Sequence, residues 1–417
     1  MRVIVIGGGV VGLSCAFALR QDGHEVEVLE ARGIGLGASA GNAGWVTPSL
    51  STPLAAPGVL RLGLRSALDP KGALVIRPQL DPLWIRWLWG FARSCRPAAF
   101  KTGVAGLLGL SLRTLDGLDA MRAAGVEFEE HRAGLLSVAR TPSGIEWFDR
   151  VFRELRALGF EGRMDPLDAD AARTLEPALG RDARLAIHTT VDRHVDPRSL
   201  TAGLGAHLAA AGATVTTGFT ARAIGRNGGG WRVLGPGGWF ADGDAVVVAA
   251  AVGSTALLAP HGLRAPLVGA KGYSVTVPHA DPSPSMPLYL CEPKLGLTPL
   301  HAGLRIAGFF ELGARNARPS ADRARQLVAE TRPFVAALDG SRFAEGPAGW
   351  AGFRPATPDS LPLLGPLRGA PGLFVATGHG MLGVTLAPAT GVAVAALVRG
   401  ERPGWLAPFA PERFQRR

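Results

Sequence analysis

Three features of the sequence predict an α/β fold, in which a parallel nucleotide-binding sheet carries an inserted, mostly antiparallel sheet. A β-prone run, Val3-Ile4-Val5-Ile6, leads into Gly7-Gly8-Gly9-Val10-Val11-Gly12, a G-x-G-x-x-G turn. A helix-like stretch and a second strand ending in Glu30 follow at once, completing a strand–helix–strand unit of about 30 residues. Far downstream, residues 271–277 and 304–310 alternate as strands with one buried face do.

Taken in order, residues 10–20 read as the first helix, since Val11, Cys15 and Ala18 share a face, and Gly23 closes it. Val26, Val28 and Leu29 form the second strand. Residues 33–58 are rich in small residues and proline and read as an ordered loop. Helices are expected at 80–92, 103–123, 143–158, 168–175, 197–211, 320–331 and 388–398. Strands are expected at 133–139, 215–217, 231–234, 245–250 and 374–376. The parallel domain is assembled from 1–80, 191–265 and 346–417, and a substrate domain from 81–190 and 266–345.

The 417 residues and 47% hydrophobic content suffice for two or three domains with real cores. A net charge of +10 is not gathered into a polybasic block, and no zinc-finger or aromatic strand-binding pattern accompanies it. Nucleic acid is therefore not expected as a partner. Cys15, Cys95 and Cys291 form no framework, which fits a reducing cytoplasm. Met1-Arg2 runs directly into the first strand, so no leader is expected. The run Leu80 to Ala92 holds Trp84, Trp87 and Trp89 and is too short to span a bilayer. It suits the inner membrane surface, a core helix or a substrate lid.

The glycine turn has the context its chemistry requires. Gly7 permits the tight turn, Gly9 lets a pyrophosphate reach the backbone, and Gly12 lets helix and strand pack closely. Amide groups at Val10 and Val11 then face the phosphates. Glu30, eighteen residues past Gly12 and followed by Ala31 and Arg32, can accept hydrogen bonds from ribose hydroxyls and repels a 2′-phosphate. Glu27 lies on the opposite strand phase and is expected to face solvent. The motif alone does not separate FAD from NAD. FAD is favoured by the small-residue run 37–44, with Ser39, Asn42, Ala43 and Gly44, and by the distant glycine-rich loop 378–383. Gly253 marks the return to the parallel domain.

Several stretches together carry a likeness: VIVIGGGVVGLSCAFAL at 3–19, SAGNAGWVTP at 39–48, DRHVDP at 192–197, KGYSVTVP at 271–278, GWAGFRPATPDSLPLLGP at 349–366 and VATGHGMLGVTLAPATG at 375–391. In these the chain resembles the D-amino acid oxidase superfamily of FAD enzymes, most closely the bacterial D-amino acid dehydrogenases. The resemblance implies a Rossmann-type, glutathione-reductase-like FAD domain of the D-amino acid oxidase type. It also implies oxidation of a D-amino acid to a 2-oxo acid and ammonia, with electrons passed to a quinone or protein acceptor. A glycine-, sarcosine-, proline- or hydroxyproline-type amine using oxygen or another acceptor is the alternative.

The same resemblance implies that Arg354 holds the substrate carboxylate and that His379 lines the flavin or the substrate. Gly378, Gly380, Met381 and Gly383 approach the flavin ring. Lys271 and Tyr273 are further pocket candidates, with a plain sheet-edge lysine as the other reading of Lys271. The dehydrogenases' Thr-Tyr-Lys run is here Glu292-Pro293-Lys294, which puts substrate preference in question. The flavin-linking cysteine of sarcosine oxidases has no convincing counterpart, so noncovalent FAD is expected. No sequence spacing suggests a metal site, His188 and His194 included.

Overall fold

The computed structural model describes residues 1–66, 72–279, 281–338 and 349–415. Its parallel sheet has six strands, in the order Thr214–Thr217, Glu25–Glu30, Arg2–Ile6, Ala245–Val248, Ala370–Thr377 and Leu363–Leu367. All neighbours run parallel except the last pair. Val3, Val5, Val246 and Val248 are wholly buried, because both faces of the sheet are covered. A three-stranded antiparallel layer, 223–243, packs Trp231 and Val233 against one face.

Helices cover the other face, and two of them bear on the site. Val10–Gln21 follows the first strand, and Gly383–Val398 follows the strand Ala370–Thr377. They touch closely, since a Cβ on Gly391 would lie 2.3 Å from the Ser14 carbonyl oxygen. Their parent strands are parallel and separated only by Ala245–Val248. Both helix N-termini therefore emerge at the carboxyl edge of one sheet, where ligands of open α/β sheets bind. The last helix starts five residues before the expected 388. Pro388, at the expected start, lies in the helix interior and is buried.

The second sheet is large and mixed. Its path runs Trp350–Ala356, Val268–Val277, Gly303–Leu312, Leu295–Leu300, Leu288–Leu290, Leu135–Ala139, Leu185–Thr189 and Met164–Asp168, with Leu74–Ile76 paired to Gly303–Leu312. Most neighbours are antiparallel; the pairs 288–290 with 135–139 and 303–312 with 74–76 are parallel. By strand pairing, residues 74–76 and 350–356 belong to this sheet, on the far side of the boundary drawn at 80 and within the segment begun at 346. The boundary at 345 lies outside the described residues. The helix expected at 103–123 is two, Pro97–Ser111 and Thr114–Ala123, because Arg113 at φ −92°, ψ −4° interrupts the ladder. Buried Thr114 then donates its hydroxyl to the Thr385 carbonyl, fixing the second helix on the last one.

Candidate active site

The glycine turn behaves as its spacing predicts, with one refinement. Gly7 has φ +117°, and a Cβ there would lie 2.5 Å from the Ala249 carbonyl oxygen. A Cβ on Gly12 would lie 1.9 Å from the Gly7 carbonyl oxygen, so Gly12 packs against the turn itself. A Cβ on Gly9 would find only the Ser39 hydroxyl, at 3.4 Å. Gly9 is thus glycine without an internal packing reason, and the open space beside it is where a phosphate can approach. The helix begins at Val10 with no side-chain cap and no acidic residue in its first turn. Ser39 accepts the Val10 N–H at 3.1 Å, so the 37–44 loop is already docked at that helix start.

Glu30 closes the turn from the next strand. Its carboxylate accepts the Gly8 N–H at 2.7 Å and the Arg32 N–H at 2.9 Å. Both oxygens are held in place at the strand end, which is the position a ribose diol requires. Ala31 and Arg32 continue outward as exposed residues. Glu27 corrects the expectation of a solvent-facing residue: its side chain is only 13% exposed and pairs with Arg2 at 2.8 Å. The outer layer 223–243 covers that strand phase.

The loop 37–44 runs from the glycine turn to the large sheet. A Cβ on Gly41 would lie 2.0 Å from the Trp350 indole, and one on Gly352 would lie 2.2 Å from it. The indole therefore packs where two glycines leave room. The Asn42 side-chain oxygen is used within the loop, where it accepts the Gly44 N–H at 2.8 Å. Ala43 is held by the Thr298 hydroxyl at 2.7 Å, and Thr298 in turn accepts from the Trp45 indole at 2.9 Å. Gly44 takes φ +84° against the Val195 carbonyl.

Arg354 lies on the same face of the large sheet as Trp350, two and four residues along one strand from Gly352 and Trp350. A Cβ on Gly272, in the adjacent strand, would lie 2.2 Å from its guanidinium carbon. Glycine is therefore required at 272 for the guanidinium to lie flat there. One amino group donates to the Phe309 carbonyl at 2.8 Å, and Phe309 adopts φ +60°. Among the described residues no carboxylate lies within ion-pairing distance of Arg354. Burial lowers its pKa to about 10, and no counter-charge offsets that, yet it remains cationic at neutral pH. A half-buried cation with no carboxylate beside it has its charge left to attract an anion.

Lys271 and Tyr273 alternate with Gly272 and so point to the opposite face. Tyr273 packs there with Ala324, Leu327 and Val328 of the helix Ala321–Thr331. Its hydroxyl donates to Glu311 at 2.6 Å, and Glu311 is paired with Arg77. Lys271 donates to the Arg318 carbonyl at 2.7 Å; burial lowers its pKa while Glu311 opposes the shift. The structure separates this pair from Arg354 by the thickness of the sheet. Sequence spacing held the signal, since residues two apart share a face and residues one apart do not.

The loop after Thr377 joins both sheets. Gly378 at φ +81° and Gly380 at φ +54° turn the chain so that His379 bridges Ala356, and Gly380 donates to the Pro355 carbonyl at 2.9 Å. This backbone therefore adjoins the strand that carries Arg354. The His379 imidazole points away from solvent to the Thr390 hydroxyl at 3.0 Å. Burial drops its pKa to about 3, so it is neutral at physiological pH. Met381 is 47% exposed. Gly383 opens the last helix, whose N-terminus has neither a side-chain cap nor an acidic first turn. Gly253 sits in the turn after Ala245–Val248, where the Ala251 carbonyl accepts the Thr377 hydroxyl at 3.0 Å.

These residues fit FAD. Two helix N-termini at one sheet edge, neither capped by its own N-cap side chain nor acidic in its first turn, supply amide donors for anionic groups. Glu30 suits the ribose end, the Gly9 space suits the phosphates, and the loops 41–44 and 378–383 converge near Arg354. All three cysteines are buried, and burial raises the thiol pKa of Cys15 and Cys291 to about 12 and of Cys95 to about 11. None is a reactive thiolate for linkage.

Comparison with known proteins agrees with this geometry. The profile of the FAD dependent oxidoreductase family, DAO, matches residues 2–397. A D-amino acid dehydrogenase of Cereibacter sphaeroides is 35% identical over 416 residues, covering 97% of this chain and 93% of the relative. One from Xanthobacter autotrophicus is 32% identical over 421 residues, covering 97% and 96%. Among solved structures, glycine oxidase from Geobacillus kaustophilus superimposes with a TM-score of 0.77 at 24% identity, covering 100% of this chain and 99% of that one. L-proline dehydrogenase from P. horikoshii gives 0.73 at 19% identity, covering 99% and 97%. The two structures share the fold.

Proposed function

The chain belongs to the family of FAD-dependent oxidoreductases, and we propose from that membership that it dehydrogenates a D-amino acid. The observation that carries the reading is Arg354, a cation with no carboxylate of its own on the sheet face that meets the glycine-rich loops. A substrate carboxylate supplies the missing anion and can take two parallel N–H donors. FAD, when bound, supplies the redox chemistry by accepting hydride from the substrate α-carbon. The nitrogen lone pair then forms the C=N bond, and water hydrolyses the imino acid to a 2-oxo acid and ammonia.

The chain's own contribution is positioning. Arg354 fixes one end of the substrate, and Trp350 and Gly352 form the wall beside it. Neutral His379 adds no charge against the guanidinium. Lys271 and Tyr273, on the opposite face, are not placed to take a proton from the amine. The amine must therefore be neutral before hydride leaves, without a dedicated side-chain base. FAD would be held noncovalently at Gly7, Gly9, Gly12 and Glu30, beside the loop that carries Ser39, and the N–H groups at the start of the last helix would offer it further donors.

The test is Arg354→Ala assayed on a D-amino acid and on the corresponding amide. Loss of a charge-assisted contact worth about 1.5–3 kcal/mol raises KM for the acid roughly 10- to 100-fold and leaves the amide nearly unchanged. Equal constants for both enzymes on the acid would remove Arg354 from the site.

The electron acceptor is read as an apolar quinone met at a membrane surface. The helix Pro82–Ser94 buries Trp84, Trp87 and Phe91 and exposes Ile85, Leu88 and Trp89 on its other side, beside fully exposed Leu80. Arg93 stacks on Trp89 at 4.5 Å. Apolar residues with a flanking cation suit an anionic lipid interface. No helix among the described residues is long and apolar enough to cross a membrane.

A further inference from the structure

We propose that Glu129, His131 and His301 form a binding site for one divalent transition-metal ion of the zinc class, separate from the flavin and substrate site. Their ligand atoms all lie within 4.8 Å of one another. His131 Nε2 is 2.9 Å from Glu129 Oε1, and His301 Nδ1 is 3.6 Å from Glu129 Oε2. Each carboxylate oxygen thus has its own imidazole. Two imidazoles and one carboxylate form a donor set that zinc, cobalt and nickel favour over magnesium or calcium. Three protein ligands leave one position of a tetrahedron for water.

The surroundings hold the ligands in place. The His301 backbone N–H donates to Glu129 Oε1 at 2.8 Å, and the Ser199 hydroxyl accepts the Glu129 N–H at 2.9 Å. The His131 ring lies against His194, with centroids 4.5 Å apart and planes 12° from parallel. His194 is wholly buried, and its Nε2 meets the Pro299 carbonyl at 3.0 Å. The stacked ring, fixed by that carbonyl, holds the plane of the His131 imidazole. The His194 Nδ1 is buried and has no hydrogen-bond partner, which marks the histidine stack as incompletely satisfied polar packing. Arg305, which feels the Glu129 charge, is itself engaged by Asp196 at 3.6 Å and by the Asn42 carbonyl at 3.1 Å. The carboxylate therefore remains available.

The ligands come from segments remote in sequence. Glu129 and His131 belong to or flank a two-residue strand paired with Arg193–Val195, which also pairs with Trp45–Val46. His301 sits in the turn between Leu295–Leu300 and Gly303–Leu312. A bound ion ties that turn to the small sheet bearing Trp45. It acts as a brace and takes no part in amine oxidation.

The experiment uses the untagged, FAD-loaded protein titrated with zinc chloride by calorimetry, and with cobalt(II) by visible absorption. The expected result is one ion per chain, tetrahedral cobalt bands and a raised melting temperature. His301→Ala and His131→Ala each weaken binding at least about tenfold and abolish the thermal shift. His301 has a 79% exposed side chain, so its replacement leaves folding and flavin content intact and keeps the test decisive. Absence of stoichiometric zinc, or affinity unchanged in both variants, overturns the site. Flavin reduction by amines is not the readout, so failure here is distinguishable from failure of the proposed activity.

Discussion

Asp192 shows how one buried carboxyl sets a pH dependence. It accepts the Thr189 hydroxyl at 2.6 Å, the Ser49 hydroxyl, and the Ser49 N–H at 3.3 Å. Burial raises its pKa from the usual 3.8 to about 6 against the pull of those donors. The folded state then binds a proton that the unfolded chain has lost, so stability falls as pH rises from about 4 to about 6. The loss is at most about 3 kcal/mol. Urea midpoints of the FAD-saturated protein should decline across that window, and Asp192→Asn should flatten the decline. An unchanged slope in the variant would assign the pH dependence elsewhere. This contact was invisible in the sequence, because Ser49 and Asp192 are 143 residues apart. The family resemblance singled out Arg354 in its Gly-Phe-Arg-Pro setting. The lack of a carboxylate beside it among the described residues appeared only with the fold.

At the scale of elements, the first strand, glycine turn and helix follow directly from sequence because their pattern is contained in one continuous run of about 30 residues. The structure adds a division of labour among the glycines. Gly9→Ala places a methyl where only the Ser39 hydroxyl is near, so the FAD-free protein keeps its melting temperature while FAD affinity falls at least about tenfold. Gly12→Ala forces a methyl into the Gly7 carbonyl and lowers both. Thermal scans with and without FAD separate the two outcomes; equal losses of apo stability would refute the distinction. Element boundaries were less legible. Pro388 lies inside a helix because surrounding packing outweighs its propensity. The break at Arg113 has no glycine or proline to announce it.

For the molecule as a whole, the alternation of residues 271–277 and 304–310 was enough to place a second sheet, whereas its membership required long-range pairing. Leu74–Ile76 and Trp350–Ala356 join it from segments that read as parts of the other domain. Face assignment is the larger consequence, since it sets Arg354 toward the glycine loops and Lys271 and Tyr273 away from them. Tyr273→Phe should therefore lower stability by about 1–3 kcal/mol, because the Glu311 oxygen not facing Arg77 loses its donor, and leave KM within about threefold. A large KM change at unchanged stability would contradict the assignment. On the outer surface, Trp89→Glu should reduce flotation with anionic lipid vesicles several-fold while leaving activity with a soluble dye unchanged. Undiminished flotation would remove this helix from membrane contact.

The central claim, amino acid dehydrogenation with D-stereochemistry, is tested most directly by mixing the FAD-loaded protein anaerobically with single amino acids and following visible flavin absorbance. The account predicts rapid bleaching by one or more D-amino acids and none by their L-enantiomers. Bleaching by L-amino acids alone, or by no amino acid at all, would contradict it.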